Sequence, residues 1–201
     1  MAMKLLIIQG STRSPSNTAG ISKWAKATIE SLANGVNTEL IDLAHLSLPW
    51  DIDPVIPQGH PSSQGSGVLA ESYVDPKIQA WSRTISACDA VLIITPQYNW
   101  SVPAPLKNAI DHLYHEWTNK PVGLFTFGGH GGTKCCETLK LIFQGGLNAR
   151  VAEKVINANL PREYIRTNQR VKGDDEFLAS YQQDLGSVVQ ELAALVKASP
   201  K

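Results

Sequence analysis

The stretch that decides the fold is Leu5-Leu6-Ile7-Ile8-Gln9-Gly10-Ser11-Thr12-Arg13-Ser14-Pro15-Ser16-Asn17-Thr18. Four apolar residues in a row, with no polar alternation, read as a strand covered on both faces, as in parallel sheets. Gly10 stops the strand. After the loop over 10–17, apolar and small residues recur at helical spacing at Ile21, Ala25, Thr28 and Leu32, and Asn34-Gly35 supplies a stop. A buried strand that passes through a polar loop into a helix is the opening of a β/α unit.

Working outward, the same alternation recurs. Residues 37–43 read as a second strand, followed by a long Pro/Gly/Ser-rich loop over 44–75. Asp75-Pro76 caps a helix whose apolar face is Ile78, Trp81 and Ile85. Val91-Leu92-Ile93-Ile94 is a third strand, and Leu106, Ile110, Leu113 and Trp117 form one helical stripe. Strand four is 122–127, a helix is expected over 133–146, and strand five near 150–158, where Glu153 and Lys154 mark a sheet edge. Phe177, Tyr181, Leu185, Val188, Leu192 and Leu195 make a closing helix, begun by Asp174-Asp175 and ended at Pro200. The pattern predicts an α/β chain, 1–201 as a single domain: a doubly wound five-stranded parallel sheet with helices on both faces. Ligands of such sheets sit beyond the carboxyl ends of the strands, so the loops 10–17, 44–75, 95–105 and 128–133 are where function is sought.

Composition narrows the partners. Lys+Arg and Asp+Glu are 18 each, so the net charge is zero, which argues against a general nucleic-acid or anionic-membrane binder. Neutrality is a sum of patches: residues 1–38 carry +3, 39–75 carry −6, 76–150 carry +3 and 151–201 balance. Three cysteines, two of them adjacent, make no disulfide framework, and the N-terminal apolar run is too short for a signal peptide. A soluble, cytoplasmic protein is expected.

The first loop has the donors of a phosphate site: hydroxyls at 11, 12, 14, 16 and 18, the Asn17 amide, Arg13, and the N-terminus of a helix. It lacks Gly-Lys-Ser/Thr, so it is no triphosphate loop, and lacks Gly-x-Gly-x-x-Gly, the dinucleotide fingerprint. It has no cysteine for thiolate phosphatase chemistry, and strand three ends in Thr95, not a phospho-acceptor Asp. The ordinary reading is a capped strand-helix turn. The functional one is an anchor for a ligand's monophosphate. In the loop from Thr95 to Pro105, three prolines stiffen a rim on which Gln97, Tyr98, Asn99 and Trp100 offer amides and aromatic faces to a flat ring. Gly128-Gly129-His130-Gly131-Gly132 permits close backbone approach from the other side.

On these motifs the chain resembles the NAD(P)H-dependent FMN reductase family of flavodoxin-like proteins. They are Gly10 to Asn17, Pro96-Gln97-Tyr98-Asn99 with Pro103-Ala104-Pro105-Leu106-Lys107-Asn108-Ala109-Ile110-Asp111, and Gly128 to Gly132. The resemblance spans roughly 4–158, and Thr95 to Trp100 continuing to Leu113-Tyr114-His115-Glu116-Trp117 looks most like the eukaryotic quinone/FMN reductase branch. It implies bound FMN, with its phosphate on Ser11, Arg13, Ser16 and Asn17 and its ring along Pro96, Gln97, Tyr98 and Asn99, the other edge near Thr126, Gly128 and Gly129. It implies NAD(P)H as hydride donor and quinones, free flavin, azo dyes or ferric complexes as acceptors. No side-chain acid, base, nucleophile or metal is required, so no catalytic residue is nominated. The resemblance implies a homodimer or homotetramer. Many members carry Glu at the position of Gln97, and Ser-Tyr where this chain has Thr126-Phe127.

Tyr98, Trp100, His130 and Trp50 are the candidates for the substrate slot, Trp50 as a lid or a subunit contact. His112, His115 and Glu116 fall on one helix face and are expected to be solvated or subunit-facing rather than metal ligands. Cys135 and Cys136 open a helix, where thiolates are favoured, but read better as a packed pair. Asp51 and Asp53 read as solvated charges in an acidic loop beside the slot, biasing it toward neutral acceptors. The rival to an enzyme is an FMN-binding redox sensor or electron carrier acting through a protein partner. Arg13 and the zero net charge favour the enzyme, since carrier flavodoxins present an acidic face and no arginine in this loop.

Overall fold

The computed structural model describes residues 2–50, 53–62 and 68–198. The apolar runs become the parallel strands β1 (Met3–Gln9), β2 (Val36–Asp42), β3 (Ala90–Pro96) and β4 (Pro121–Gly128), with β5 (Arg150–Val151) and β6 (Ile156–Asn159) on the far edge. Their order is β2-β1-β3-β4-β5, with β6 also paired to β4. Register is set by Leu5↔Thr38, Leu5↔Ala90 and Val91↔Val122 among others. The central stretches of the interior strands are apolar because helices cover both faces.

The helices are α1 (Asn17–Leu32), α2 (Leu43–Leu46), α3 (Val68–Glu71), α4 (Pro76–Ala87), α5 (Ala104–Asp111), α6 (Thr133–Lys140), α7 (Glu163–Arg166) and α8 (Gln182–Lys197). Leu5, Ile7, Leu92 and Phe125 pack with Ile21, Ala25, Leu185 and Val188, so α1 and α8 cover one face. Leu6, Ile8, Val91 and Leu124 pack with Trp81, Ile110 and Leu139 of α4, α5 and α6 on the other. From β1 the chain moves outward to β2, and from β3 it moves the opposite way to β4. The loops after β1 and β3 therefore diverge, leaving a crevice at their carboxyl ends.

Several expectations are corrected. The sheet has six strands, not five. Strand five is split, because Val122↔Val151 and Phe125↔Ile156 leave two extra residues on the edge segment. There the amides of Glu153 and Lys154 turn from β4 to the Glu191 carboxylate of α8, at 2.6 and 3.1 Å. The stripe from Leu106 to Trp117 is not one helix. α5 ends at Asp111, and the Trp117 indole donates to the Ile110 carbonyl at 3.2 Å, taking an acceptor a continuing helix would use. The helix over 133–146 is α6 followed by a π-turn over Leu141–Gly146. The closing helix starts late, at Gln182, after a 3₁₀ segment over Glu176–Tyr181, and Pro200 lies outside the described residues.

His112 and Glu116 are not solvated but buried. His112 Nε2 meets the Pro49 carbonyl at 2.8 Å, while Glu116 accepts from Ser82 at 2.5 Å and from Tyr73 at 3.2 Å. These contacts fasten the long loop to α4 and the α5 end. The Asp53 side chain is likewise turned inward rather than solvated, its carboxylate accepting from the amides of Val55 (3.0 Å) and Val74 (2.9 Å). Burial would raise its pKa, but those amides and nearby His60 hold it below the ordinary value. Asp51 lies outside the described residues.

Candidate functional site

β1 ends at Gln9, and the chain runs through Gly10 to Ser16, which caps α1 by accepting from the Thr18 amide at 3.0 Å. A Cβ on Gly10 would lie 2.7 Å from Thr95, so glycine is what lets the β1 and β3 ends close up here. Ser11 is buried, and its hydroxyl is 2.7 Å from the Tyr98 hydroxyl, tying the first rim loop to the second. The Arg13 guanidinium stacks 4.7 Å over the Tyr98 ring. Tyr98 and Ser101 exchange both backbone hydrogen bonds, with Asn99 (φ 47°) and Trp100 (φ 65°) between them in the left-handed region. That is a two-residue turn of the type I′ kind, and it lifts Trp100 out of the rim with 70% of its surface exposed.

Between these loops and Gly128-Gly129 lies a cavity of about 210 Å³. Ser11, Arg13, Ser16, Asn17, Pro96, Gln97, Tyr98, Gly128 and Gly129 line it, which brings together nine of the eleven predicted cofactor-binding positions. A larger groove of about 800 Å³ lies between α1 and α8, away from these loops. Among the described residues the backbone amides of Ser11, Thr12, Ser14 and Ser16 have no acceptor, and Arg13 has no carboxylate partner. A cluster of unfilled donors beside a helix N-terminus is a site for a dianion.

The other predicted residues stand apart from this cavity. Thr126 is fully buried, its hydroxyl donating to Asn157 Oδ1 at 2.7 Å, and Phe127 lines the cavity in its place. Asn99, Trp100 and His130 are exposed on the rim. Trp50 lines a neighbouring cavity of about 280 Å³ with Thr12, Leu48, Pro105 and Asn108. Two amides have unexpected duties. Gln97 Oε1 accepts from the amides of Lys134 (3.0 Å) and Cys135 (3.1 Å), capping α6, whose N-cap Gly132 has no side chain to do so. Asn17 donates to the Tyr164 carbonyl and accepts from the Val171 amide, both at 3.0 Å. Cys135 and Cys136 are buried, and burial pushes the Cys135 thiol up to about 12, opposite to what their helix-opening position favours.

The sequence reading missed the segment after β6. Leu160, Tyr164, Ile165 and Arg170 also line the cavity. The traces it left are a second basic run, Arg162, Arg166 and Arg170, and a tyrosine within it.

A doubly wound parallel sheet with a donor-lined cavity and an aromatic rim at its switch point defines a flavodoxin-like fold. The chain belongs to the NADPH-dependent FMN reductase family, whose model matches residues 3–160. It is 40% identical over 149 residues to the NAD(P)H-dependent FMN reductase LOT6 of Saccharomyces cerevisiae, covering 71% of this chain and 74% of that one. It is 33% identical over 201 residues to the NAD(P)H-dependent FMN reductase C4B3.06c of Schizosaccharomyces pombe, covering 98% and 92%. Among solved structures, the flavoenzyme NAD(P)H:(acceptor) oxidoreductase FerB of Paracoccus denitrificans shares the fold, with a TM-score of 0.70 and 22% identity over 98% of both chains. The chain is thus an FMN-dependent NAD(P)H oxidoreductase. Its residues fit FMN: the unfilled amides and Arg13 suit the phosphate. A Cβ on Gly128 would meet nothing closer than 3.6 Å, so glycine there leaves space that protein packing does not need.

Proposed function

We propose that this single-domain enzyme reduces quinones, free flavin or similar aromatic acceptors with NAD(P)H, and that it works in the cytoplasm as a homodimer or homotetramer. The observation that carries the reading is the set of unfilled amides and the unpaired Arg13 on one cavity beside the Tyr98 ring. Hydride acceptance and electron delivery are the chemistry FMN supplies when bound. The chain's own task is position and electrostatics. Ser11, Arg13 and the loop amides hold the phosphate, and Ser16 keeps α1's first turn capped. Pro96, Tyr98 and the backbone at Gly128 and Gly129 bound the ring's place, and the exposed Trp100 and Trp50 flank the approach for nicotinamide and acceptor. No side chain here needs to move a proton for hydride transfer.

The test is anaerobic. The purified protein loaded with FMN should bleach on addition of NADPH or NADH and regain its colour with a benzoquinone at a rate that sustains turnover. Bleaching without turnover on quinone, free flavin or azo dye would replace the enzyme reading with that of a redox sensor.

A further inference from the structure

The matched family region ends at residue 160, yet the cavity's far wall is built from residues beyond it. The segment 160–173 is strapped to the phosphate loop. Asn17 grips it at two points, through the Tyr164 carbonyl and the Val171 amide. Gly20 of α1 makes room for it, since a Cβ there would lie 1.9 Å from the Val171 carbonyl oxygen. Asp175 secures the end by accepting from the Lys172 amide (2.7 Å), the Gly173 amide (3.0 Å) and the Tyr164 hydroxyl (2.6 Å).

What the strap delivers is Arg170. Its Nε donates to the Pro15 carbonyl at 3.2 Å, and Nη1 to the carbonyls of Gln169 (2.6 Å) and Thr167 (3.0 Å). The guanidinium is therefore fixed on the phosphate loop itself. Its Nη2 has no partner among the described residues, and no carboxylate there pairs with it. Arg13 and Arg170 thus line one small cavity, neither with a carboxylate partner among the described residues, and two such cations favour an anion there. A phosphate monoester carries close to two negative charges at neutral pH, which is the charge these two arginines balance.

We infer that Arg170 is a second cationic ligand of the FMN phosphate, alongside Arg13, delivered by the strap that Asn17 holds. The inference rests on the assignment of this cavity to FMN. A guanidinium already anchored through Nε and Nη1 loses little freedom when Nη2 engages an oxygen, so its contribution appears as affinity.

The experiment compares FMN with riboflavin, which has the same ring and no phosphate, by quenching of flavin fluorescence on the flavin-free protein. Arg170→Gln should weaken FMN binding about 10- to 100-fold, as expected for one charge-assisted hydrogen bond, and leave riboflavin affinity unchanged. The salt dependence of FMN binding should flatten in the same variant. Equal loss for both ligands would mean that Arg170 only supports the strap, and unchanged FMN affinity would mean that it faces some other group. Either overturns the inference. If Arg170→Gln does not fold, Arg170→Lys, which keeps charge but forfeits the fork, is read with the same two ligands. Failure of the unaltered protein to bind FMN would instead overturn the assignment of the cavity.

Discussion

Replacing Gln97 separates its structural duty from its place on the flavin rim. Its Oε1 takes two amides at the start of α6, at 3.0 and 3.1 Å, and α6 has no other side-chain cap. Loss of an N-cap costs about 1 kcal/mol, with an upper limit of about 2. Here the Lys134 amide lies at the surface and can be met by water, while the Cys135 amide is partly buried. Gln97→Ala should therefore cost about 1–1.5 kcal/mol, which for a chain of this size lowers the melting temperature by roughly 2–6 °C. Gln97→Glu keeps the acceptor and places a negative charge at a helix N-terminus, which is worth about 0.3–1 kcal/mol. It should melt at or above the parent. Thermal unfolding of the three flavin-free proteins by circular dichroism reads this directly. A Glu variant that melts as low as the Ala variant, or an Ala variant that melts with the parent, would refute the capping role.

Trp100 pays a steric cost of about 1–2 kcal/mol for its left-handed backbone, so Trp100→Gly should gain up to about 1 kcal/mol in denaturant unfolding. The same variant should raise KM for aromatic acceptors, and equal stability with unchanged kinetics would deny Trp100 both roles. For Asp175, burial would raise its pKa, but its bonds from Tyr164, Gly173 and Lys172 hold it below the ordinary value. Its stabilisation of the strap is thus present above the unfolded carboxyl's pKa of about 4 and lost as pH falls below that. Asp175→Asn should shallow the acid limb of the stability profile, and an unaltered limb would contradict this. With its thiol pushed up to about 12 by burial, Cys135 should resist alkylation near neutral pH in the folded protein. Modification as fast as that of a free thiol would show the helix start to be open.

The central strands, the order of the loops and the placement of the rim motifs were legible because each rests on local pattern: apolar runs, Gly stops and a Ser cap. What escaped was set by partners distant in sequence. The break in the edge strand depends on Glu191 reaching back to the amides of Glu153 and Lys154. The end of α5 rests on a nearer contact, the Trp117 indole folding back onto Ile110 seven residues earlier, which helical periodicity does not foresee. Gln97 and Asn17 read as ligand donors because an amide in a rim loop has the right chemistry. In the structure Gln97 Oε1 also caps α6 and Asn17 also holds the strap, while both residues line the cavity. The burial of His112 and Glu116 follows from the long loop's Pro49 and Tyr73 lying over them, which helix periodicity cannot foresee. Arg170 lacked a motif of its own and acquires meaning only where the strap crosses Pro15.

The central claim is that the loop after β1 is the phosphate anchor of a bound flavin. A crystal structure of the FMN-loaded protein tests it most directly. The phosphate should lie against the amides of Ser11 to Ser16, within hydrogen-bonding distance of Arg13 and with the ring beside Tyr98 and Gly128. A phosphate seated elsewhere on the chain, with this loop's amides left to solvent, would contradict the account.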